Sequence, residues 1–374
     1  MDISYGAPEI TGLTAPVQAA YHPPSGKTVC FARDPATSLL VGVVTGLNQI
    51  GVPVVSSIPL ASLNRWAVRY NEVSGKLLLL ATESNETASP WHGYLKAAEI
   101  TVVGETLSFG SVQTASLGVI VEAGGVADFL ITPAGKIVVS FSAGYPWAGI
   151  AVVGTFASGP LSVGSPVTFL ADNLSNDDRP ALLYDPASGK IILWYETRSL
   201  DAEFFLVGTI SGNSISFGAV ASIDTGRKMR RMEMCLWEGK VVPLIRDTWD
   251  FYYATGTISG TSLSFTAPTY LDWGDSPIWP YPTLYHHLRL DAPSGYLCII
   301  DSGYVAIFHP GTTENNVVAL PGFTGISDVV YDQQNNRFSL VPEEMISWIK
   351  LTEDSPPVVA VFWTNFHGQT EIIA

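Results

Sequence analysis

The stretch Arg179–Ile223, RPALLYDPASGKIILWYETRSLDAEFFLVGTISGNSISFGAVASI, decides the fold. It contains four short apolar runs, ALLYD, KIILWYE, FFLVGTI and SISFGAVAS. A Pro-Ala-Ser-Gly turn, a polar loop and a Ser-Gly-Asn turn separate them. Short runs rich in Ile, Val, Phe and Tyr, punctuated by Gly, Ser and Asn, read as β-strands joined by hairpins. The stretch is one antiparallel meander, with strands A, B, C and D in chain order.

The unit repeats. Its A–B turn returns as HPPSGK (22–27), YNEVSGK (70–76), TPAGK (132–136), WEGK (237–240), LDAPSGY (290–296) and YDQQNNR (331–337). From Gly26 through Gly75, Gly135, Gly189 and Gly239 to Gly295, the turn glycines recur every 49 to 60 residues. The C–D segment recurs as VVGTFASGPLSVG (152–164), LVGTISGNSISFG (206–218) and ATGTISGTSLSFT (254–266). A period near 50 with four strands per unit predicts an all-β chain, a seven-bladed β-propeller of four-stranded antiparallel blades filling residues 1–374 as one domain.

The first residues fit this scheme as a displaced D strand. Asp2–Pro8 (DISYGAP) aligns with Ser214–Val220 (SISFGAV). A D strand at the very start, within residues 1–12, is expected to complete the last blade, built from 326–352, and so close the ring and cover its edges. Residues 355–374 are then an extra hairpin or tail.

Composition narrows the function classes. Hydrophobic residues make up 47 % of the chain and charged residues 14 %, ample for cores between blades. The net charge of −15 argues against nucleic acid as a partner, because such binding needs a basic face. No apolar run reaches the length of a membrane span, so no insertion is expected. The N-terminus MDISYG has neither a basic nor an apolar leader region, so a secretory signal is not expected. Cys30, Cys235 and Cys298 each sit in an apolar run, an odd set without paired spacing, and are expected to be reduced and buried.

The loops divide by face. A–B and C–D turns share one end of a meander and are uniformly short and bland, suited to turn geometry alone. B–C and D–A connections share the other end and carry aromatics: SPWHGY (89–94), GYPWAG (144–149), DTWDFY (247–252) and LDWGDSPIWPYPT (271–283). Trp91, Trp147, Trp249, Trp273 and Trp279 therefore lie on one face, with Tyr94, Tyr145 and Tyr281. Two readings stand: rings that cap the blades, or a recognition surface in which Trp and Tyr supply amphipathic area for a saccharide or partner. Arg227, Lys228, Arg230 and Arg231, in the D–A loop of the same face, are either a solvated loop or a site for an anionic partner.

Catalytic and metal signatures are weak. Asp34, Glu83, Glu196, Asp247 and Asp301 follow B strands at what read as equivalent repeat positions, which would ring the aromatic face with carboxylates. A copied unit explains such a ring as well as chemistry does. The acidic run DNLSNDD (172–178) lacks the spaced order of a calcium loop. His286 and His287 are adjacent on a strand and point to opposite faces. No sialidase Asp-box, nucleophile elbow, Cys/His metal spacing or phosphate loop occurs. The expectation is no catalytic residues, no metal, no cofactor, and a chain that is not an enzyme.

With the YDPASGK hairpins, the segments Val207–Gly218 and Thr255–Phe265 resemble the propeller-type repeats of bacteriophage tail and tail-fibre proteins. The resemblance covers the second to fifth units well and the others loosely. It implies a virion tail component made in the host cytoplasm, acting in host attachment and partnered by other tail proteins and a host surface glycan or receptor. A purely structural nozzle, hub or fibre subunit is the alternative, and a glycan-processing enzyme a second one.

Overall fold

The computed structural model describes residues 2–5, 9–10, 18–34, 36–45, 51–60, 63–85, 92–121, 127–144, 147–156, 160–171, 174, 180–197, 202–224, 229–247, 250–271, 287–291, 296–301, 304–311, 315–319, 326–332, 337–342, 345–352, 361–364 and 370–373. Those residues are strands and their turns, with one short 3-10 turn at Pro23–Ser25. None forms a helix long and apolar enough to cross a membrane.

The Arg179–Ile223 stretch is the clearest case of residues making their own strands. Ala181–Asp185, Lys190–Glu196, Ala202–Ser211 and Ser214–Phe217 form a meander in that order. In the register, Leu182 faces Leu193, Leu193 faces Leu206, and Ile210 faces Ile215. The B strand KIILWYE is buried along six of its seven residues, as a strand covered on both faces must be. The outer strand SISF alternates exposed and covered residues, with Ile215 inward. Ala221–Asp224 continues that outer strand along the other half of the C strand.

The A–B turn explains the recurring YDPASGK pattern. The Asp185 carboxylate accepts from the backbone N–H groups of Ala187 (3.1 Å) and Ser188 (3.1 Å) and from the Ser188 hydroxyl. Gly189 then closes the turn at φ 67°, a conformation that a side chain disfavours. Asn71 does the same in YNEVSGK, accepting from the Val73 N–H at 3.0 Å.

The chain divides into two compact units, one of residues 61–100 and 110–271, the other of 1–60, 101–109 and 272–374. In the first, successive meanders are built from 63–100 with 113–116, 127–170, 181–224 and 229–271. Adjacent sheets pack face to face. Leu78, Leu80, Phe129, Ile137, Val139 and Phe141 fill one such interface, and Ile192, Trp194, Phe205, Val241 and Ile245 another. The 229–271 sheet departs from the repeat, because its C strand is broken into Asp250–Tyr253 and Gly256–Ser259.

The second unit holds the sheets 18–59, 287–319 and 326–352 and the hairpin Val361–Thr364 with Thr370–Ile373. Asp2–Tyr5 lies antiparallel along Met345–Thr352, with Asp2 opposite Thr352 and Tyr5 opposite Ile349. Glu9 and Ile10 pair with Ile346 and Met345 of the same strand. Val29, Cys30, Phe31, Val43 and Val44 form a fully enclosed centre in the 18–59 sheet.

The cysteine expectation needs one correction. All three are thiols outside any disulfide; Cys30 and Cys298 are buried, but Cys235 is only half-buried, as is its neighbour Leu236. A thiol reagent applied to the native protein should therefore modify Cys235 well before the other two. Equal protection of all three in a timed labelling experiment followed by mass spectrometry would contradict this placement.

Candidate functional site

The two ends of the meanders do different work. The turns that read as bland are the joints between sheets. Lys136, first residue of a B strand, reaches forward to the C–D turn of the next sheet, donating to Asn213 Oδ1 at 2.9 Å. Thr155 of the same sheet donates to that oxygen at 2.7 Å, and Asn213 donates back to Ser162 at 3.3 Å. One turn asparagine thus ties three strands of its neighbour. In the other unit, Lys27 bonds the Gly104 carbonyl at 3.2 Å and pairs with Glu105, again on a C–D turn.

Glycines partway along the outer edge make room for this contact. A Cβ on Gly164 would overlap the Asn213 carbonyl oxygen, and one on Gly218 the Thr261 carbonyl oxygen. Gly51 stands in the same relation to Glu105. Each also donates its N–H back to its own C strand: Gly164 to Val153 (2.9 Å), Gly218 to Val207 (3.0 Å) and Gly51 to Val44 (2.8 Å). Sequence reading gave these residues only a turn-forming role. Their signal was present in part: a glycine after Ser162–Val163 and after Ser214–Phe217, and a lysine after the turn glycines Gly26 and Gly135.

At the opposite end, Trp147 and Tyr94 are described and both are half-buried. Trp147 sits in the B–C connection at φ 63°, a left-handed conformation rare for a bulky residue. Its N–H donates to the Gly144 carbonyl (3.2 Å) and its carbonyl accepts from Leu174 (3.0 Å), which fixes that backbone. Tyr94 lies in the strand His92–Val103, opposite Glu83 and Ser116, rather than in a loop. Trp91, Trp249, Trp273, Trp279, Tyr145, Tyr281, Arg227 and Lys228 lie outside the described residues. Arg230 and Arg231 are strand residues of Met229–Trp237, not loop residues, paired by backbone with Arg246 and Ile245. His286 also lies outside the described residues, while His287 opens the strand His287–Asp291.

The carboxylates do not all share one repeat position. Counted from the lysine that starts each B strand, Glu83 and Asp247 stand seven residues on and Glu196 six, so Glu196 takes the opposite face of its sheet. Each described acid has a separate local setting. Asp34 accepts from the Ala36 N–H and the Thr37 hydroxyl, both at 2.8 Å, and these bonds, Ala36 first, hold its pKa below the ordinary value. Glu83 pairs with Lys96 at 2.7 Å.

Glu196 is buried and stands directly across the strand pair from Glu203. Glu203, 1 % exposed, accepts a hydrogen bond from the Trp194 indole N–H. Both carboxylates lie on the sheet face that carries Trp194 and Phe205. Among the described residues, no three His, Cys, Asp or Glu side chains group as metal ligands.

No protein-family model matches the chain, and no curated protein does. Solved structures share its fold. A structural-genomics target protein from Lactobacillus plantarum is 10 % identical with a TM-score of 0.57, over 92 % of this chain and 94 % of that one. A puromycin hydrolase mutant in complex with PGG is 13 % identical with a TM-score of 0.54, over 98 % of this chain. The match spans 58 % of the hydrolase's own length. The polysaccharide lyase Uly1 is a more distant likeness, at 10 % identity and a TM-score of 0.46, over 87 % of each chain. The fold is thus β-propeller-like.

These likenesses correct one expectation. The missing catalytic motif had argued that the chain is not an enzyme, yet a hydrolase carries the same fold. Short motifs of unrelated enzymes do not report on catalysis in a propeller, whose sites are assembled from separate loops.

Proposed function

We propose that the chain is a seven-bladed propeller of a bacteriophage tail, binding a host surface glycan through the end that carries its B–C and D–A connections. In this reading the strand Asp2–Tyr5 with Glu9–Ile10 supplies the outer strand of the last blade and closes the ring, and other tail proteins are its partners. The repeat segments Val207–Gly218 and Thr255–Phe265 support the tail context. One observation carries the choice of face. The short-turn end is taken up by sheet-to-sheet joints, while the other end holds a half-buried tryptophan in a backbone conformation that costs about 1–2 kcal/mol. Such a cost is tolerated where the ring's position matters.

Trp147→Gly tests it. Glycine adopts the left-handed conformation freely, so relief of strain offsets part of the lost packing and stability should change by about 1 kcal/mol. Adsorption of particles carrying the variant, or binding of the purified chain to host envelope, should fall about tenfold or more. Unchanged adsorption with a large drop in melting temperature would show that the ring is a cap.

A second reading, glycan processing, is favoured by Glu196 and Glu203, two carboxylates facing across one strand pair. Its test is shortening of a bound saccharide that stops in Glu196→Gln. Binding without any product would remove this reading and keep the first.

A further inference from the structure

Position for position, the repeat separates ordinary stations from unusual ones. Four residues before Gly208, Phe204 faces Ser222 of the outer strand. Four residues before Gly154, Ile150 faces Thr168. At the matching place in the 63–116 sheet, Lys96 faces Thr114. Each sheet sets one large side chain against one small hydroxyl residue. Four residues before Gly256, however, Tyr252 faces a second large ring, Tyr270.

The core does not need this second ring. On the strand Thr269–Leu271 it is Leu271 that turns inward, 5 % exposed, while Tyr270 is 50 % exposed. The two ring centroids are 5.5 Å apart and their planes are inclined at 52°. Tyr270 therefore presents ring surface to solvent from a rigid strand pair, on the half of the C strand next to the B–C connection. The outer strands of the same sheet also expose Ser262, Ser264, Thr266 and Thr269, all uncharged and hydroxyl-bearing.

We infer that Tyr252 and Tyr270 form a stacking subsite for an uncharged saccharide. The C–H face of a pyranose is apolar and packs on an aromatic face, while its ring hydroxyls exchange hydrogen bonds with neighbouring Ser, Thr and Tyr hydroxyls. Tyr270 offers the open face, and Tyr252, part-buried against the core, backs it. The chain's net charge of −15 disfavours a polyanionic saccharide. A peptide adding to the edge is disfavoured too, since the Thr269–Leu271 strand has three residues and so few free backbone groups. The inference rests on the glycan-binding reading above and names its ligand class.

The experiment uses the full chain and, as probes, neutral hexasaccharides of glucose, galactose and N-acetylglucosamine, with a galacturonate hexasaccharide as the charged comparison. Titration calorimetry should show binding of at least one neutral probe. Tyr270→Ala and Tyr252→Ala should each weaken it about tenfold, and Tyr270→Phe by less than about threefold. Added salt should leave the affinity unchanged, since no charge pair is being screened. Binding of the galacturonate probe alone would overturn the inference. So would failure of every neutral probe to bind, or a double Tyr→Ala variant that binds like the parent.

The two readings fail separately. Loss of host adsorption in Trp147→Gly, with saccharide binding unaffected by the tyrosine substitutions, sinks only the subsite. Tyrosine-dependent saccharide binding with normal adsorption in Tyr270→Ala keeps the subsite and sinks its role in attachment.

Discussion

Gly164→Ala should cost about 3 kcal/mol or more, enough for the urea midpoint to fall well below that of the parent. The added methyl would meet the Asn213 carbonyl oxygen of the next sheet's turn. A backbone atom cannot swing aside as a side-chain tip can, so the turn must move as a body. Moving it breaks the bonds from Lys136 and Thr155 to Asn213 Oδ1. Gly212→Ala is the contrast. Gly212 has φ 59° with open space around it, so alanine there incurs only the conformational penalty, about 1 kcal/mol. Equal midpoints for the two variants would mean that the joint between sheets contributes little.

The second large effect belongs to Trp194. It is fully enclosed between the 181–224 and 229–271 sheets and stacks on Phe205 with centroids 5.2 Å apart. Trp194→Ala should cost about 3–5 kcal/mol, the lost transfer energy plus a cavity that rigid strands cannot close. Trp194→Phe separates the polar part. It keeps most of the ring but removes the donor to the buried Glu203, at about 1–3 kcal/mol. Adding Glu203→Leu to Trp194→Phe should recover part of that loss, because the carboxylate that lacks the indole donor is then gone. A double variant no more stable than Trp194→Phe would show that the indole packs but its hydrogen bond is idle.

Much of the architecture was legible because the repeat writes it several times over. Runs such as KIILWYE and SISF declare a doubly covered strand and a half-exposed one through their own patterning. The Asp185 and Asn71 turns announce themselves by an Asp or Asn with a glycine a few residues on. What patterning could not show is contact between repeats. Nothing local to Asn213 says that it meets Lys136, 77 residues earlier, because that meeting depends on how one sheet stacks on the next.

The site was less legible for the same reason. Glu83 and Glu196 look alike in sequence, yet one residue of offset from the turn lysine puts them on opposite faces of their sheets. Tyr252 and Tyr270 lie 18 positions apart, and only the strand register sets them opposite each other.

The joint also bears on how such a chain can change length. Each of the repeats 127–170 and 181–224 carries a socket partway along its outer edge, at Gly164 or Gly218, and the next sheet brings the matching plug in its C–D turn, at Asn213 or Thr261. A segment duplicated in one piece would arrive with both fittings. It would mate with its neighbours on either side without a single substitution at the seam. A cut inside a segment, by contrast, would leave a socket facing the wrong residue. Recombination between related genes should therefore be tolerated where one outer strand has ended and the next inner strand has not begun.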